Sequence, residues 1–114
     1  MEAQAILRYV RITPRKARVV ANAVRGKAVH EADNILRFTP KRAAGIIRKV
    51  LHSAVSNAVD RSKGGKLDED KLFVRRILVD PGPILKRWRP GGRGSAQRRQ
   101  KKQSHITIVV AEKE

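Results

Sequence analysis

Apolar residues recur along this chain at two spacings, and the changes between them mark out the elements. From residue 3 to residue 12 the run AQAILRYVRI mixes β-branched, aromatic and arginine side chains, the pattern of a strand with one wet face. Thr13-Pro14 then supplies a helix N-cap with proline at the first helical position, where a missing N–H is harmless. Ala17, Val20, Ala21 and Val24 follow at helical spacing, and Gly26 is the expected stop. A short second helix is predicted over residues 29–37, with Ala32, Ile35 and Leu36 on one face. Thr39-Pro40 repeats the start signal. A third helix is predicted from Lys41 to about Asp60, with apolar residues at 43, 47, 50, 51, 54, 55, 58 and 59 and with Arg42, Arg48 and Lys49 off the stripe.

Lys63-Gly64-Gly65-Lys66 ends that helix in a loop, and the acidic cluster Asp68, Glu69, Asp70 after it reads as a solvated turn rather than a metal site. Two β-like segments close the chain, residues 72–79 and 106–111. They are expected to pair antiparallel, which makes the segment between them the far end of a long hairpin, with Pro90-Gly91-Gly92 at the turn. Three helices packed on a small antiparallel sheet, with a long protruding basic β-hairpin, define an α+β fold. The 114 residues fit a single domain, divided into a body of residues 1–80 and 105–114 and an arm of residues 81–104.

Charge changes this picture most in the arm. Residues 82–105 hold eight Lys or Arg and no Asp or Glu, so nothing in the segment neutralises its own charge. The chain carries +17 overall, and the 90 residues outside that segment therefore still carry +9. A surplus of this size favours polyanionic partners, of which nucleic-acid phosphate is the commonest. From Asp80 to Gly91 is 11 steps, so an extended arm reaches roughly 35 Å. No apolar alternation runs through it, and in isolation it is expected to be mobile.

Several function classes fall away. There is no cysteine, which excludes disulfides, thiolate catalysis and Cys-ligated zinc. No apolar run approaches the roughly 18 residues of a spanning helix, the arm lacks the pattern of an interfacial helix, and no secretion signal is expected, so a cytosolic protein without membrane partners is the reading. His30, His52 and His105 lack paired metal-ligand spacing, and no catalytic triad, phosphate loop or carboxylate pair stands at motif spacing. Neither an enzyme nor a cofactor is expected.

Two constellations point to nucleic acid. Trp88 sits between Arg87 and Arg89, where stacking on a nucleobase with both arginines on phosphate uses all three side chains. Arg15, Lys16 and Arg18 crowd the first turns of the first helix, where the macrodipole disfavours cations unless an anion is bound there.

The residues also carry a family resemblance over essentially the whole length. Thr13-Pro14-Arg15-Lys16-Ala17-Arg18 leads to Arg25-Gly26-Lys27, then to Lys49-Val50-Leu51-His52-Ser53-Ala54 with Asn57-Ala58. Val79-Asp80, Gly82-Pro83, Lys86-Arg87, Pro90, Gly94 and the closing Ser104-His105-Ile106-Thr107-Ile108-Val109-Val110 follow in order. Each is weak alone, but the ordered set resembles the large-subunit ribosomal protein L-twenty-two family of bacterial type.

The resemblance implies a structural constituent of the large ribosomal subunit, cytoplasmic and ribosome-bound. Its body would lie near the exit of the peptide tunnel, with its hairpin inserted through ribosomal RNA (rRNA). It implies rRNA contacts at Arg15, Lys16 and Arg18 and along the arm at Lys86, Arg87, Arg98, Arg99, Lys101 and Lys102, to which the residue reading adds Trp88 and Arg89. The tip, Arg87 to Ala96, would line the tunnel beside the nascent polypeptide through Pro90, Gly91, Gly92, Arg93, Gly94, Ser95 and Ala96. Neighbouring large-subunit proteins are implied partners, and self-association is not expected.

The chain departs from the family pattern at Gly91, where a basic residue is usual, and at Pro81-Gly82-Pro83, where an acid commonly precedes Gly-Pro. Arg89 is the candidate for the missing tip charge. The competing class is a chromosome-architectural DNA binder with basic β-arms and a proline wedge. Such proteins need a dimer interface, and the long third-helix stripe looks fully used by the core of the body itself.

Overall fold

The computed structural model describes residues 2–62 and 69–112, so the predicted loop at Lys63-Gly64-Gly65-Lys66 and the first acid of the cluster, Asp68, lie outside the described residues. In chain order the elements are β1 (Glu2–Val10), α1 (Pro14–Val24), α2 (Val29–Phe38), α3 (Arg42–Arg61), a 3₁₀ turn (Glu69–Lys71), β2 (Leu72–Pro81), β3 (Leu85–Pro90), a second 3₁₀ turn (Gly92–Gly94), β4 (Ala96–Lys101) and β5 (Ser104–Glu112). β1, β5 and β2 form an antiparallel sheet in that order, and β3 and β4 pair by themselves as its extension.

One face of the three-stranded sheet is covered by helices. Ala3 and Ala5 of β1, Leu72, Val74, Ile77 and Val79 of β2, and Ile106, Ile108 and Val110 of β5 are buried there. Opposite them stand Ala17, Val20, Ala21 and Val24 of α1 and Ala43, Ala44, Ile47, Val50, Leu51, Ala54 and Ala58 of α3. The small alanines let the helices approach closely, while Ile47 and Leu51 fill the centre. Each such large side chain contributes about 1.5–3 kcal/mol by leaving water. Val59, included in the predicted stripe, is 41% exposed instead, because it lies past the edge of the sheet-facing arc.

Local chemistry explains most boundaries. Thr13 has the extended conformation of an N-cap and Pro14 opens α1, although the Thr13 hydroxyl makes no capping bond. After α1, Gly26 takes φ +76, which turns its own N–H to Val74 O at 3.1 Å, and Lys27 O accepts from Val74 N–H at 2.9 Å. The second start signal is a correction. Thr39 closes α2 rather than opening α3: its hydroxyl donates to Ile35 O and its N–H to Leu36 O, and α3 begins only at Arg42. A threonine hydroxyl satisfies a carbonyl four residues back as readily as it caps the helix ahead.

Strand register contains irregularities that alternation alone does not announce. Val74 pairs with Val110 and Arg76 with Val109, so Arg75 is an extra residue in β2, and both arginines point to water. β1 slips between Leu7 and Val10 around Tyr9, whose φ is +59. That strained backbone is held by the Tyr9 N–H donating to His105 Nδ1 at 3.1 Å and by edge-to-face contact of the two rings at 4.9 Å.

The outer edge of β1 is closed by α3. Asn57 Nδ2 donates to Gln4 O at 2.8 Å and Arg61 Nη1 to Glu2 O at 3.0 Å, removing two acceptors from an edge open to strand addition. Asp33 joins α2 to α3 by accepting from Arg48 Nε at 2.8 Å and from His52 Nε2 at 2.7 Å.

Candidate nucleic-acid interface

The arm leaves the body as a continuation of the β2–β5 pairing. Pro81 pairs with Ser104, the Gly82 N–H donates to Gln103 O at 2.9 Å, and the ladder resumes one residue out of step with Leu85 opposite Lys101. Its root is fixed by Ser104, fully buried, whose hydroxyl donates to Ile12 O at 2.6 Å. Beyond that point every residue from Lys86 to Lys102 is exposed except half-buried Gly91. The molecule therefore measures 66 × 25 × 16 Å, and its radius of gyration is 17.4 Å against about 13 Å for a compact chain of this length.

Register divides the arm into two faces, because successive strand residues point oppositely. Arg87, Arg89, Arg99 and Lys101 share one face, and Lys86, Trp88 and Arg98 share the other. Trp88, 67% exposed, stands opposite Arg98. The register thus sets Trp88 and its two sequence neighbours on opposite faces of the ribbon. Arg87 and Arg89 face away from the indole, and the cations beside it are Lys86 and Arg98.

Arg87 lies directly opposite Arg99. Like charges across an antiparallel pair repel, and among the described residues neither arginine has an acidic partner. An anion bound beside both would turn that repulsion into attraction.

The tip is a tight turn. The Ser95 hydroxyl donates to Gly92 O at 2.8 Å, the Gly91 N–H to Ser95 O, and Arg93 (φ 59) and Gly94 (φ 76) adopt left-handed backbone. A Cβ at Gly91 would stand 2.8 Å from Gln97 Cγ and 2.9 Å from Ser95 O. In this turn the basic residue usual in the family would require Gln97 and the Ser95 carbonyl to move.

On the body, Arg15 and Lys16 are exposed at the start of α1, which has no acid in its first turn. Arg18 is committed differently: its Nε and Nη2 both donate to Val79 O, at 3.3 and 3.0 Å, tying α1 to β2 close to the arm. The three histidines engage separate partners, His30 with Asp70, His52 with Asp33 and His105 with Tyr9.

At the root of the arm the structure assembles a feature that sequence reasoning missed. A cleft of about 800 Å³ is lined by Arg11, Lys16, Lys41, Arg42, Lys101 and Lys102, with Thr13, Val19 and Gln100 among the neutral walls. Arg11, Lys41 and Arg42 are not among the contacts the sequence predicts. A signal for two of them was present in the near-repeat of Thr13-Pro14-Arg15-Lys16-Ala17 as Thr39-Pro40-Lys41-Arg42-Ala43.

Comparison with known proteins gives a consistent result. Residues 5–111 match the family described as ribosomal protein L22p/L17e. Relatives named large ribosomal subunit protein uL22 include one from Thermoanaerobacter sp. (strain X514), 55% identical over 114 residues and covering all of both chains. Another, from Syntrophotalea carbinolica, is 53% identical over 99% of this chain and 100% of its own. That of Thermus thermophilus is 51% identical over 99% and 97% respectively.

Proposed function

The chain belongs to the ribosomal protein L22p/L17e family, and from that premise we propose that its arm threads through large-subunit rRNA and presents its tip to the nascent polypeptide. Family membership makes it a structural, non-enzymatic constituent of the large ribosomal subunit, carried on cytoplasmic ribosomes.

The observation that carries the RNA reading is the arm itself. It is a two-stranded ribbon exposed on both faces, with eight cations and no acid between residues 82 and 105 and with Arg87 set against Arg99. Phosphates on either side supply the missing counter-charge. Arg87, Arg89, Arg99 and Lys101 hold one stretch of backbone, while Lys86 and Arg98 hold another beside a base stacked on Trp88. Arg15 and Lys16 add contacts from the body. By fastening several RNA segments to one rigid root, the protein supports subunit assembly beside neighbouring ribosomal proteins. At the tip, the compact Gly91–Ala96 turn keeps side-chain bulk low where the peptide passes, leaving Arg93 as the charge beside it.

Sedimentation of tagged protein from lysate through a high-salt sucrose gradient tests the first part, since salt strips loosely held cations from RNA. Co-migration with the large subunit is the expected result, and release to the top of the gradient would refute it. For the tip, the absence of native cysteine makes Ser95→Cys a unique attachment point for a cross-linker. Cross-linking to a stalled nascent chain is expected from residue 95 and not from an Asn22→Cys control on α1, and equal labelling would refute the assignment.

A further inference from the structure

We infer that the open face of the three-stranded sheet docks an acidic segment of a neighbouring polypeptide in the large subunit. The inference does not depend on how the arm or its tip is used.

Helices cover only one face of this sheet, and register decides what the other presents. Ile6 and Leu78 stand on either side of Thr107 in one row across β1, β5 and β2, and Val109 follows two residues along β5. Their neighbours Ala5, Ile77 and Ile108 are buried on the helix side, so alternation turns the row outward. Ile6 is 47% and Leu78 42% exposed. One exposed aliphatic side chain is ordinary, but several abreast on a sheet face form a strip that gains by being covered. The strip itself has no cation to hold a phosphate and no aromatic ring to stack a base, which separates this face from the arm.

Charge is confined to the ends of the strip. Towards the arm, Arg8 and Asp80 balance each other. At the other end Arg61, Arg75 and Arg76 line a cavity of about 230 Å³ beside Val109, with Glu2 the one acid among its described lining residues. Glu2 engages Arg75 through its carboxylate and Arg61 through its main-chain carbonyl. Arg76 forms no ion pair among the described residues. The bulge in β2 creates this end. It sets two residues between buried Val74 and buried Ile77, so Arg75 and Arg76 both face water where regular alternation would turn one toward the core.

Three arginines against one glutamate complement a carboxylate, to which a planar guanidinium donates paired hydrogen bonds. An aliphatic strip leading into such a cavity fits a polypeptide whose apolar side chains cover Ile6, Leu78 and Val109 and whose Asp or Glu enters beside Arg76.

The test places benzoylphenylalanine at Leu78 or, in a second variant, at Ile6, and irradiates large subunits purified on a tag carried by the full chain. Both positions are partly exposed, so the core is left intact. The expected adduct is with a different protein, and mass spectrometry of the joined peptide is expected to find Asp or Glu in it. That peptide, synthesised with a fluorophore, is then titrated with the free full chain. Arg76→Glu is expected to weaken binding by about tenfold, since it sets like charges together. Lys49→Glu, which makes the same change in net charge on exposed α3 surface, is expected to leave binding unchanged.

An adduct with rRNA alone, with a second copy of this chain, or with nothing from either position would overturn the proposal. So would a joined peptide without an acid, one that fails to bind the free chain, or binding that responds equally to Arg76→Glu and Lys49→Glu.

Discussion

Removing the arm should leave the body folded and slightly more stable. The perturbation is replacement of Lys86–Lys102 by an Asn-Gly turn, which joins the ladder near Leu85 and Gln103. None of the buried core residues lies in the deleted segment, so the hydrophobic contribution lost is close to zero. The Gly82–Gln103 hydrogen bond and the buried Ser104–Ile12 bond lie on the body side of the cut and persist.

Two terms favour the truncated form. The loop between Gly82 and Gln103 shortens from 20 residues to five, about two halvings, which lowers the loop-closure cost by about 1.2 kcal/mol. All eight arm cations are deleted, so formal charge drops from +17 to +9 and self-repulsion falls with it. For a domain of this size, about 1 kcal/mol corresponds to about 4–8 °C in Tm. Thermal unfolding followed by far-ultraviolet circular dichroism should therefore show one cooperative transition, at the intact protein's Tm or a few degrees above it. A broad non-cooperative melt, or a Tm lowered by more than about 10 °C, would show that the arm is part of the folding unit.

Other perturbations probe the body and the tip. Ile47→Ala empties the centre of the core, where the side chain is fully buried; it should cost about 2–5 kcal/mol in urea unfolding, and a loss below about 1 kcal/mol would misplace the core. The Arg48 guanidinium holds the Asp33 carboxyl below the ordinary aspartate range, outweighing the opposing effect of burial, and His52 adds a smaller contribution in the same direction as Arg48. Because the folded-state pKa is the lower one, the stabilisation is present above the unfolded value of about 3.9 and is lost as pH falls from there through the folded value. Asp33→Asn should flatten that part of the stability profile, and an unchanged acid limb would refute the role given to Asp33. Gly91→Ala should rearrange the tip, seen as large amide shifts at Ser95 and Gln97, whereas Gly92→Ala meets nothing within 4 Å and should not. Equal effects of the two would dismiss the crowding argument.

Much of the molecule was legible in its residues because the relevant forces are local or periodic. The α3 stripe, the Thr13-Pro14 start and the alternation of β5 each predict an element from neighbours a few residues apart. The acid-free run between the last two body strands announced an arm that could not bury itself, and its composition set the polyanionic chemistry to expect of a partner. Family membership was likewise carried by ordered short segments.

What tertiary structure alone decided was which of those residues meet. A one-residue slip reverses the face on which a strand side chain lies, so the separation of Trp88 from Arg87 and Arg89 depended on the register of β3 against β4. Thr39 could serve the helix before it or the one after, and the carbonyl of Ile35 settled the matter. The basic cleft joins residues 11, 16, 41, 42, 101 and 102, which are neighbours only once α1, α3 and the arm have packed around one root. Charge is additive along a chain and can be counted from sequence, but the field it makes depends on distances that only packing sets.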